Sequence, residues 1–292
     1  MLERYGTPRA FRQALEARLM AQSKTTDVDL GRLRRQVAFE RLLARLTEGR
    51  GGATSWVLKG GFALELRLGN VSRTTRDLDL ATLDGELDGQ RLWSHLSTVL
   101  GEDVDGDYFI FAVAAPRPLA ADLAGRPGWR FSVDVRLAGK SFAMVRIDVV
   151  ARAEEISDAI EPLTFSSALA FAGLAPTVTV PAIDVDQHAA EKFHALTRIY
   201  GGRPNTRVKD LVDLVLLTEL NLIDPTRLTD RVRTVFRVRA THPMPTQLPE
   251  PPSAWRDDYL GIIEELDIGA RTIGDAMAVV RPIWRICVEN GG

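Results

Sequence analysis

The sequence of 292 residues is poor in cysteine, in lysine and in long apolar runs, and each shortage excludes a class of protein. Its single cysteine, Cys287, cannot form an internal disulfide, which excludes a small disulfide-stapled domain. No stretch approaches the roughly 20 apolar residues needed to cross a bilayer. The formal net charge of -2 excludes binding of nucleic acid through bulk positive charge.

Lysine is scarce relative to arginine. Of 37 basic residues only five are lysines, at positions 24, 59, 140, 192 and 209, which leaves 32 arginines. Biased codon usage is the plain explanation for an excess of arginine. Where lysine persists, we expect positions that need a compact ammonium group instead of a planar guanidinium, and a phosphate-binding site is one such position.

Three sequence motifs of common enzyme classes do not occur. We find no Walker-type Gly-x-x-x-x-Gly-Lys-Ser/Thr, no Gly-x-Ser-x-Gly and no dinucleotide-binding Gly-x-Gly-x-x-Gly after a predicted strand. These absences exclude P-loop ATPases, serine hydrolases of that type and Rossmann dehydrogenases.

The predicted elements change in kind along the chain. Apolar residues at helical spacing predict helices over 7–23 and 29–48. Strands are predicted near 56–58, 77–81, 108–114, 129–137 and 143–150, with helices over 62–68 and 88–100. After Pro181 the patterns are helical, over 185–200, 207–220, 225–239, 254–265 and 270–288.

This order predicts an α/β (α+β) fold in three parts. We expect N-terminal helices in 1–50, a central domain with a mixed sheet in 51–180, and a helical C-terminal domain in 181–292 that closes a cleft. Five prolines between Thr241 and Pro252 predict an extended connector. Charges interrupt the apolar residues at the N-terminus, unlike a signal peptide, and we expect a cytoplasmic protein with no membrane partner.

Two aspartates in the segment Asp77-Leu78-Asp79-Leu80 are the first candidate site. Residues two apart on a strand point to the same face, so Asp77 and Asp79 present both carboxylates on one side of the sheet. Mg²⁺ prefers oxygen ligands and usually binds one or two carboxylates, while water and substrate phosphates complete its shell. The pair therefore predicts a site for a metal-bound nucleotide.

A glycine pair precedes these aspartates. Gly60 and Gly61 follow a predicted strand, and Gly61 lies sixteen residues before Asp77. Glycine lets the backbone approach a phosphate closely, and the helix that follows adds its positive N-terminus. The basic run from Arg73 to Arg76 lies between the two motifs. The combination predicts phosphate binding beside the carboxylates.

The order of glycines, helix and Asp-x-Asp strand resembles motif I of the polymerase-β-like nucleotidyltransferase superfamily. The longer string Lys-Gly-Gly-x-Ala-Leu, followed by Arg-x-Thr-x-Asp-Leu-Asp-Leu, is similar to the AbiEii/AbiGii branch, the nucleotidyltransferase-like toxins of bacterial toxin–antitoxin systems. The resemblance implies a polymerase-β-like nucleotidyltransferase domain for residues 51–180.

The superfamily uses a third carboxylate on a neighbouring strand. Asp148 is the preferred candidate because the apolar residues around it predict a buried strand, where a lone carboxylate is costly without a metal or a partner. Asp134 is the competing candidate. An ion pair with an arginine, without any metal, is the alternative explanation for Asp148.

Two segments of the helical half extend the resemblance. The segment His188–Leu196 is similar to the family's third motif, in which Lys192 is the lysine, and Arg207–Leu214 matches the fourth motif, Arg-x-Lys-Asp-x-x-Asp-Leu. Lys209 and Asp213 are four apart and share a helix face. Surface ion pairs explain either segment alone. Behind the first motif, both segments predict the far wall of an active-site cleft.

The resemblance also implies roles for individual residues. Mg²⁺, with Mn²⁺ as the alternative, would bind at Asp77, Asp79 and Asp148. A nucleoside triphosphate would contact Lys59, Gly60, Gly61, Arg73, Thr74, Lys192, Arg207, Lys209 and Asp210. Catalysis would depend on Asp79, Asp148, Lys192 and Asp213, with Asp148 or Asp213 accepting the proton of the attacking hydroxyl.

The resemblance implies two macromolecular partners. Several family members modify the 3′ end of tRNA, which would block aminoacylation and translation, and a toxin of this kind has a cognate antitoxin protein. A local RNA-binding patch is predicted from five arginines, and a solvated helix face is its alternative. These arginines are Arg227, Arg231, Arg233, Arg237 and Arg239.

Two other functions remain open. The protein could be a nucleotidyltransferase that modifies a protein or a small molecule. It could also be a nucleotide-binding regulatory protein that has lost catalysis.

Overall fold

The computed structural model describes residues 5–48, 56–83, 88–119, 127–202 and 204–289. The helices are α1 Pro8–Thr26, α2 Leu30–Glu48, α3 Gly60–Leu68, α4 Gly89–Leu100, α5 Ala153–Ile156, α6 Val185–Thr197, α7 Val208–Glu219, α8 Pro225–Arg239, α9 Trp255–Ile263 and α10 Ile273–Glu289. The strands are β1 Trp56–Lys59, β2 Asp77–Thr82, β3 Phe109–Val113, β4 Arg117–Pro118, β5 Gly128–Leu137, β6 Lys140–Ala151, β7 Ile160–Ser166 and β8 Thr177–Ile183. Every predicted helix and strand is present, with bounds shifted by a few residues.

The strands form one mixed sheet in the order β3-β5-β6-β2-β1-β8-β7, and β4 pairs with β5. The pairs β2–β6 and β1–β8 are parallel, and the other pairs are antiparallel. The predicted mixed α/β fold with helices at the C-terminus is confirmed. The pattern missed β7 and β8 because proline argues against a strand, and here Pro162 and Pro181 lie directly opposite each other.

Two hydrophobic cores hold the chain together. The first lies between the sheet and the helices α1, α2 and α4, and includes Phe11 and Phe131. The second joins the helices from α6 to α10 around Trp284. Helix α3 packs into both, through Phe62 in the first core and Leu64 in the second. This helix therefore ties the sheet to the helical half, and the division at residues 50 and 180 stays a prediction.

Cys287 is buried in the second core. The proline-rich segment after α8 has no regular structure, which agrees with the predicted connector. Among the described helices, none combines the length and the apolar composition that crossing a bilayer requires.

A buried ion cluster fixes α2 to the start of β3. Arg41 and Arg45 of α2 both bind the fully buried Asp107, with nitrogen to oxygen distances of 2.6 and 2.7 Å. Burial raises the pKa of Asp107, but the two arginines outweigh it and hold the pKa below its ordinary value. The cluster therefore remains ionised at neutral pH.

Asp107→Asn is expected to lower the free energy of unfolding by about 3–5 kcal/mol, because it leaves the buried guanidinium of Arg45 without its anion and that of Arg41 with Asp105 alone. Since the folded-state pKa is lowered, this stability is present above the unfolded pKa of 3.8 and is lost as the pH falls through the folded-state pKa. Urea denaturation at pH 7.5 and in acid checks both points. Asp230→Asn, which alters an exposed partner of Arg233, is the control and should cost less than about 1 kcal/mol. Equal losses in the two variants would contradict the expectation.

Candidate active site

Charged side chains form a row across the middle of the sheet. Strand pairing sets Lys59 beside Asp79, Asp79 beside Asp148, and Asp148 beside Arg130. Four neighbouring strands thus carry one cation, two carboxylates and a second cation side by side. Asp77 is two residues from Asp79 on β2 and shares its face. The strand register therefore places on one face of the sheet the three carboxylates that the sequence proposed as a metal site.

Asp79 is the carboxylate of this row without a partner. It is half-buried, and its carboxylate makes no hydrogen bond or ion pair with another described residue. Burial, together with the charges of Asp148 and Asp77, raises its pKa from 3.8 to about 6, although Lys59 and Lys192 act in the opposite direction. A carboxylate crowded by like charges favours the binding of a cation or a proton.

The other two carboxylates are held by arginines. Arg146 donates to Asp77 at 2.5 Å, and Arg130 binds both oxygens of Asp148 at 2.7 and 2.6 Å. No three Asp, Glu, His or Cys side chains in the described ranges are grouped as ligands around one point. The donor set contains only carboxylate oxygens, which Mg²⁺ prefers. A metal ion would compete with Arg130 and Arg146 for it.

The competing candidate Asp134 lies elsewhere on the sheet. It accepts hydrogen bonds from Arg136 at 2.6 Å and Ser141 at 2.8 Å. Its position in the β5–β6 pair is opposite Met144, four residues along β6 from Asp148. The row of charges therefore includes Asp148 and not Asp134. Arg130, which the sequence did not single out, enters the row only through the strand register.

The glycine pair lies where β1 turns into α3. Gly60 has a φ of +68°, which side chains rarely adopt, and a Cβ atom there would lie 1.9 Å from Oδ2 of Asp79. A Cβ atom at Gly61 would lie 2.8 Å from Oγ1 of Thr75. Gly60 is needed because the backbone passes close to Asp79, and Gly61 is needed because it passes close to Thr75.

Gly60→Ala is expected to lower the free energy of unfolding by about 2–4 kcal/mol, because it adds overlap with Asp79 to the cost of a positive φ. Gly139→Ala is the matched control, since Gly139 has a φ of +72° but nothing within 4 Å of its Cβ position. That control should cost only about 1 kcal/mol. Chemical denaturation measures both, and equal costs would show that Asp79 yields freely to the added methyl group.

Helices α6 and α7 form the wall opposite the carboxylate row. Lys192 of α6 is 5% exposed and donates to Asp213 at 2.6 Å and to Asp210 at 3.2 Å. Arg73, from the loop before β2, binds both oxygens of Asp213 at 2.9 and 2.7 Å. Burial raises the pKa of Asp213, but Lys192 and Arg73 outweigh it and lower the pKa below its ordinary value. Asp213 therefore holds two cations at the site.

Glu191 is a site residue that we did not predict as one. It accepts from Lys59 at 2.5 Å and lies 3.3 Å from the guanidinium of Arg239, which also binds Glu155. Lys59 and Arg239 lower the pKa of Glu191 in spite of its burial. Its signal in the sequence is its place immediately before Lys192 in the third motif.

His188 belongs to α6 in the same wall, and its ring has no hydrogen-bond partner among the described residues. It is 2% exposed. Burial, and then the nearby Lys192, lowers its pKa well below 6.5, so the ring is neutral. A neutral imidazole offers one donor and one acceptor to whatever binds beside it.

Two cavities open on this site. The smaller cavity has a volume of about 340 Å³ and extends from Gly60 to His188 and Lys192, and the larger cavity, of about 780 Å³, extends from Asp79 to α2. They meet at four residues that line both, Gly61, Arg73, Asp79 and Lys209. The predicted nucleotide contacts that line the smaller cavity are Lys59, Gly60, Gly61, Arg73, Lys192, Arg207, Lys209 and Asp210. Thr74 and Asp77 line the larger cavity instead.

The arginines of α8 are mostly occupied by acidic neighbours. Arg227 binds Asp184 and Asp186, Arg231 binds Asp158, and Arg233 lies 3.7 Å from Asp230. Arg239 points into the smaller cavity. Of the five arginines, Arg237 alone has no carboxylate partner within the described chain. This helix therefore presents much less free positive charge than its sequence predicted.

Comparisons with known proteins agree with this geometry. The family model described as "Nucleotidyl transferase AbiEii toxin, Type IV TA system" matches residues 41–285. The chain is similar to the solved structure of MenT4, a nucleotidyltransferase toxin from Mycobacterium tuberculosis, with a TM-score of 0.54 and 19% identity over 94% of this chain and 87% of that one. No match is found among curated proteins.

Two other solved structures have TM-scores of 0.37 and 17% identity. One is the antibiotic-resistance factor ANT(2'')-Ia, aligned over 70% of this chain and 93% of that one. The other is an antigenic nucleotidyltransferase-like protein from Paracoccidioides brasiliensis, aligned over 71% and 88%.

The family match covers the glycine turn, the carboxylate row and the wall formed by α6 and α7. The likeness to MenT4 shows that the fold is shared. The chain belongs to the AbiEii family, the nucleotidyltransferase toxins of type IV toxin–antitoxin systems.

Proposed function

We propose that this toxin transfers a nucleoside monophosphate from a nucleoside triphosphate to an acceptor hydroxyl, at the 3′ end of tRNA. The observation that carries the proposal is the meeting of two cavities at Asp79. In-line displacement at phosphorus needs the attacking and leaving groups on opposite sides. A donor in the smaller cavity and an acceptor in the larger cavity satisfy that requirement.

The smaller cavity has the charge that a triphosphate requires. Its described lining contains six basic residues, Lys59, Arg73, Lys192, Arg207, Lys209 and Arg239, and three acidic ones, Asp79, Glu191 and Asp210. The glycine turn supplies backbone N–H groups at the start of α3, where the helix dipole attracts anions. His188 is available for a hydrogen bond to the nucleotide.

Three carboxylates would hold a divalent cation. Asp77, Asp79 and Asp148 provide an all-oxygen donor set on one face of the sheet, and the pKa of Asp79 is raised by burial and then by the negative charges of Asp148 and Asp77. When bound, Mg²⁺ or Mn²⁺ would acidify the acceptor hydroxyl and offset charge on the leaving oxygens. Arg130 and Arg146 hold two of the three carboxylates when no cation competes for them.

The reaction makes one bond and breaks one. The acceptor oxygen bonds to the α-phosphorus, and pyrophosphate leaves with its bridging oxygen. We assign the hydroxyl proton to Asp148, because the lowered pKa of Asp213 makes it a poor proton acceptor. Asp213 instead positions Arg73 and Lys192 for the phosphates.

The test supplies each of the four nucleoside triphosphates, labelled at the α-phosphate, with total RNA, cell lysate and Mg²⁺. We expect the label in RNA, at the 3′ end, and removed by ribonuclease. A label that only protease removes would show that the acceptor is a protein. A protein that binds nucleotide but transfers no label when metal is added would be the regulatory alternative. In growing cells, expression without the antitoxin should reduce tRNA aminoacylation.

A further inference from the structure

We infer that the larger cavity binds the phosphate backbone of a nucleic-acid acceptor, and that Arg35 and Arg76 are the residues that hold it. The inference rests on the proposed function and gives the acceptor an entry path. Arg35 belongs to α2, and Arg76 belongs to the loop before β2. Both line the larger cavity.

Arg35 and Arg76 lack anionic partners among the described residues. Nε of Arg35 is buried without a hydrogen-bond partner. Burial lowers the pKa of Arg35, and repulsion by Arg76 and Arg32 lowers it further, although Asp29 and Glu65 act to raise it. A partly buried guanidinium among like charges is costly unless an anion binds there.

The neighbouring arginines of the same cavity, in contrast, have carboxylate partners. Arg32 is paired with Glu65 at 2.7 Å, Arg73 with Asp213 at 2.7 Å and Arg146 with Asp77 at 2.5 Å. Those three are occupied by the protein itself. The free positive charge of the cavity is therefore concentrated at Arg35 and Arg76, together with Lys209, which also lines the smaller cavity.

The position and the volume of the larger cavity also suit a nucleic-acid acceptor. The larger cavity reaches Asp79, and its 780 Å³ is more than twice the 340 Å³ of the smaller cavity. It has room for the end of a nucleic-acid strand, whose regularly spaced phosphates can each contact a separate cation. Because phosphate contacts carry no base information, these arginines would position the 3′ end without selecting its sequence.

This path differs from the α8 patch that the sequence suggested. Four of the five α8 arginines have acidic partners. That helix therefore has little free positive charge with which to bind phosphates and release their counterions. Arg35 also precedes residue 41, where the family match begins. This part of the cavity wall therefore belongs to the chain outside the matched region.

The test compares Arg35→Ser, Arg76→Ser and the double variant with Arg237→Ser, which removes an unpaired arginine that lines neither cavity. Fluorescence anisotropy of a 5′-labelled tRNA, measured across a range of KCl concentrations, gives the Kd and its salt dependence. We expect each single variant to weaken binding about 3- to 10-fold and the double variant about 10- to 100-fold. The slope of log Kd against log salt should fall by about one for each arginine removed. Arg237→Ser should match the parent.

Two further readouts separate this inference from the proposed function. Equilibrium dialysis of a nucleoside triphosphate should give the same Kd for all variants, and thermal denaturation should show that each is folded. A double variant that binds tRNA with the parent's Kd and salt slope overturns the inference even if nucleotide transfer is observed. A parent protein that binds no RNA overturns it as well. Weakened binding in a protein that transfers no nucleotide supports the inference and rejects the proposed reaction.

Discussion

Asp79→Asn is expected to abolish nucleotide transfer and, at the same time, to make the protein more stable. The substitution removes the unpaired carboxylate of the row, which we propose as a ligand for the metal. Loss of several kcal/mol of charge stabilisation in the transition state corresponds to a fall in rate of about 10³-fold or more. The measurement is label transfer from an α-labelled nucleotide under single-turnover conditions.

The gain in stability follows from the raised pKa of Asp79. Because the folded-state pKa of about 6 exceeds the unfolded value of 3.8, the ionised side chain opposes folding, and this penalty grows as the pH rises through that interval. We therefore expect Asp79→Asn to raise the free energy of unfolding by about 1–3 kcal/mol at pH 7.5, and by less at pH 5. Urea denaturation without divalent metal measures the difference.

Added Mg²⁺ and nucleotide give a second readout for this variant. A ligand that binds only the folded state raises its stability, so the parent should gain thermal stability when both are added. Asp79→Asn should gain little. If the variant transfers label as fast as the parent, or responds equally to Mg²⁺, Asp79 does not have the proposed role.

Lys192→Arg is expected to reduce transfer by about 10²-fold although it keeps the positive charge. Burial lowers the pKa of Lys192, but Asp213 and Asp210 outweigh it and raise the pKa above its ordinary value, so the ammonium is always charged. A guanidinium is larger and planar, and the site around Lys192 is almost fully buried. Overpacking of such a site typically costs about 1–3 kcal/mol.

Lys192→Met provides the companion measurement, because it removes the charge while Arg73 still holds Asp213. We expect weaker triphosphate binding, measured by equilibrium dialysis, and a loss of transfer at least as large as that of Lys192→Arg. Lys24→Arg, at an exposed position of α1, is the control and should change neither quantity. Full activity of Lys192→Arg would show that only the charge matters, and not the shape of the ammonium.

Local patterns explain how much of the fold was predictable. Helical spacing predicted α1, α2 and the helices from α6 to α10, because burial of one helix face leaves a periodic mark in the sequence. Alternation along β2 placed Asp77 and Asp79 on one face. The strands β7 and β8 were not predicted. Each contains a proline, which argues against a strand in the local pattern, but in the fold the two segments pair with each other.

Pairing between distant residues was not predictable in the same way. Arg73 and Asp213 are 140 residues apart, and the Arg45–Asp107 contact spans 62 residues. Nothing in either local segment specifies such a partner. The same holds for the α8 arginines, whose acidic partners come from other elements and remove most of the charge that the sequence counted as available.

The sequence by itself determined the family, the order of helices and strands, and the identity of the glycine, carboxylate and lysine motifs, because each of these is a local property of consecutive residues. The tertiary structure decided which charges remain free. Strand register set Asp148 and Arg130 beside Asp79, and helix packing gave Lys192 to Asp213. Among the residues that the structure describes, Asp79, Arg35 and Arg76 keep unpaired charges, and an unpaired charge in a cavity is what a ligand can bind.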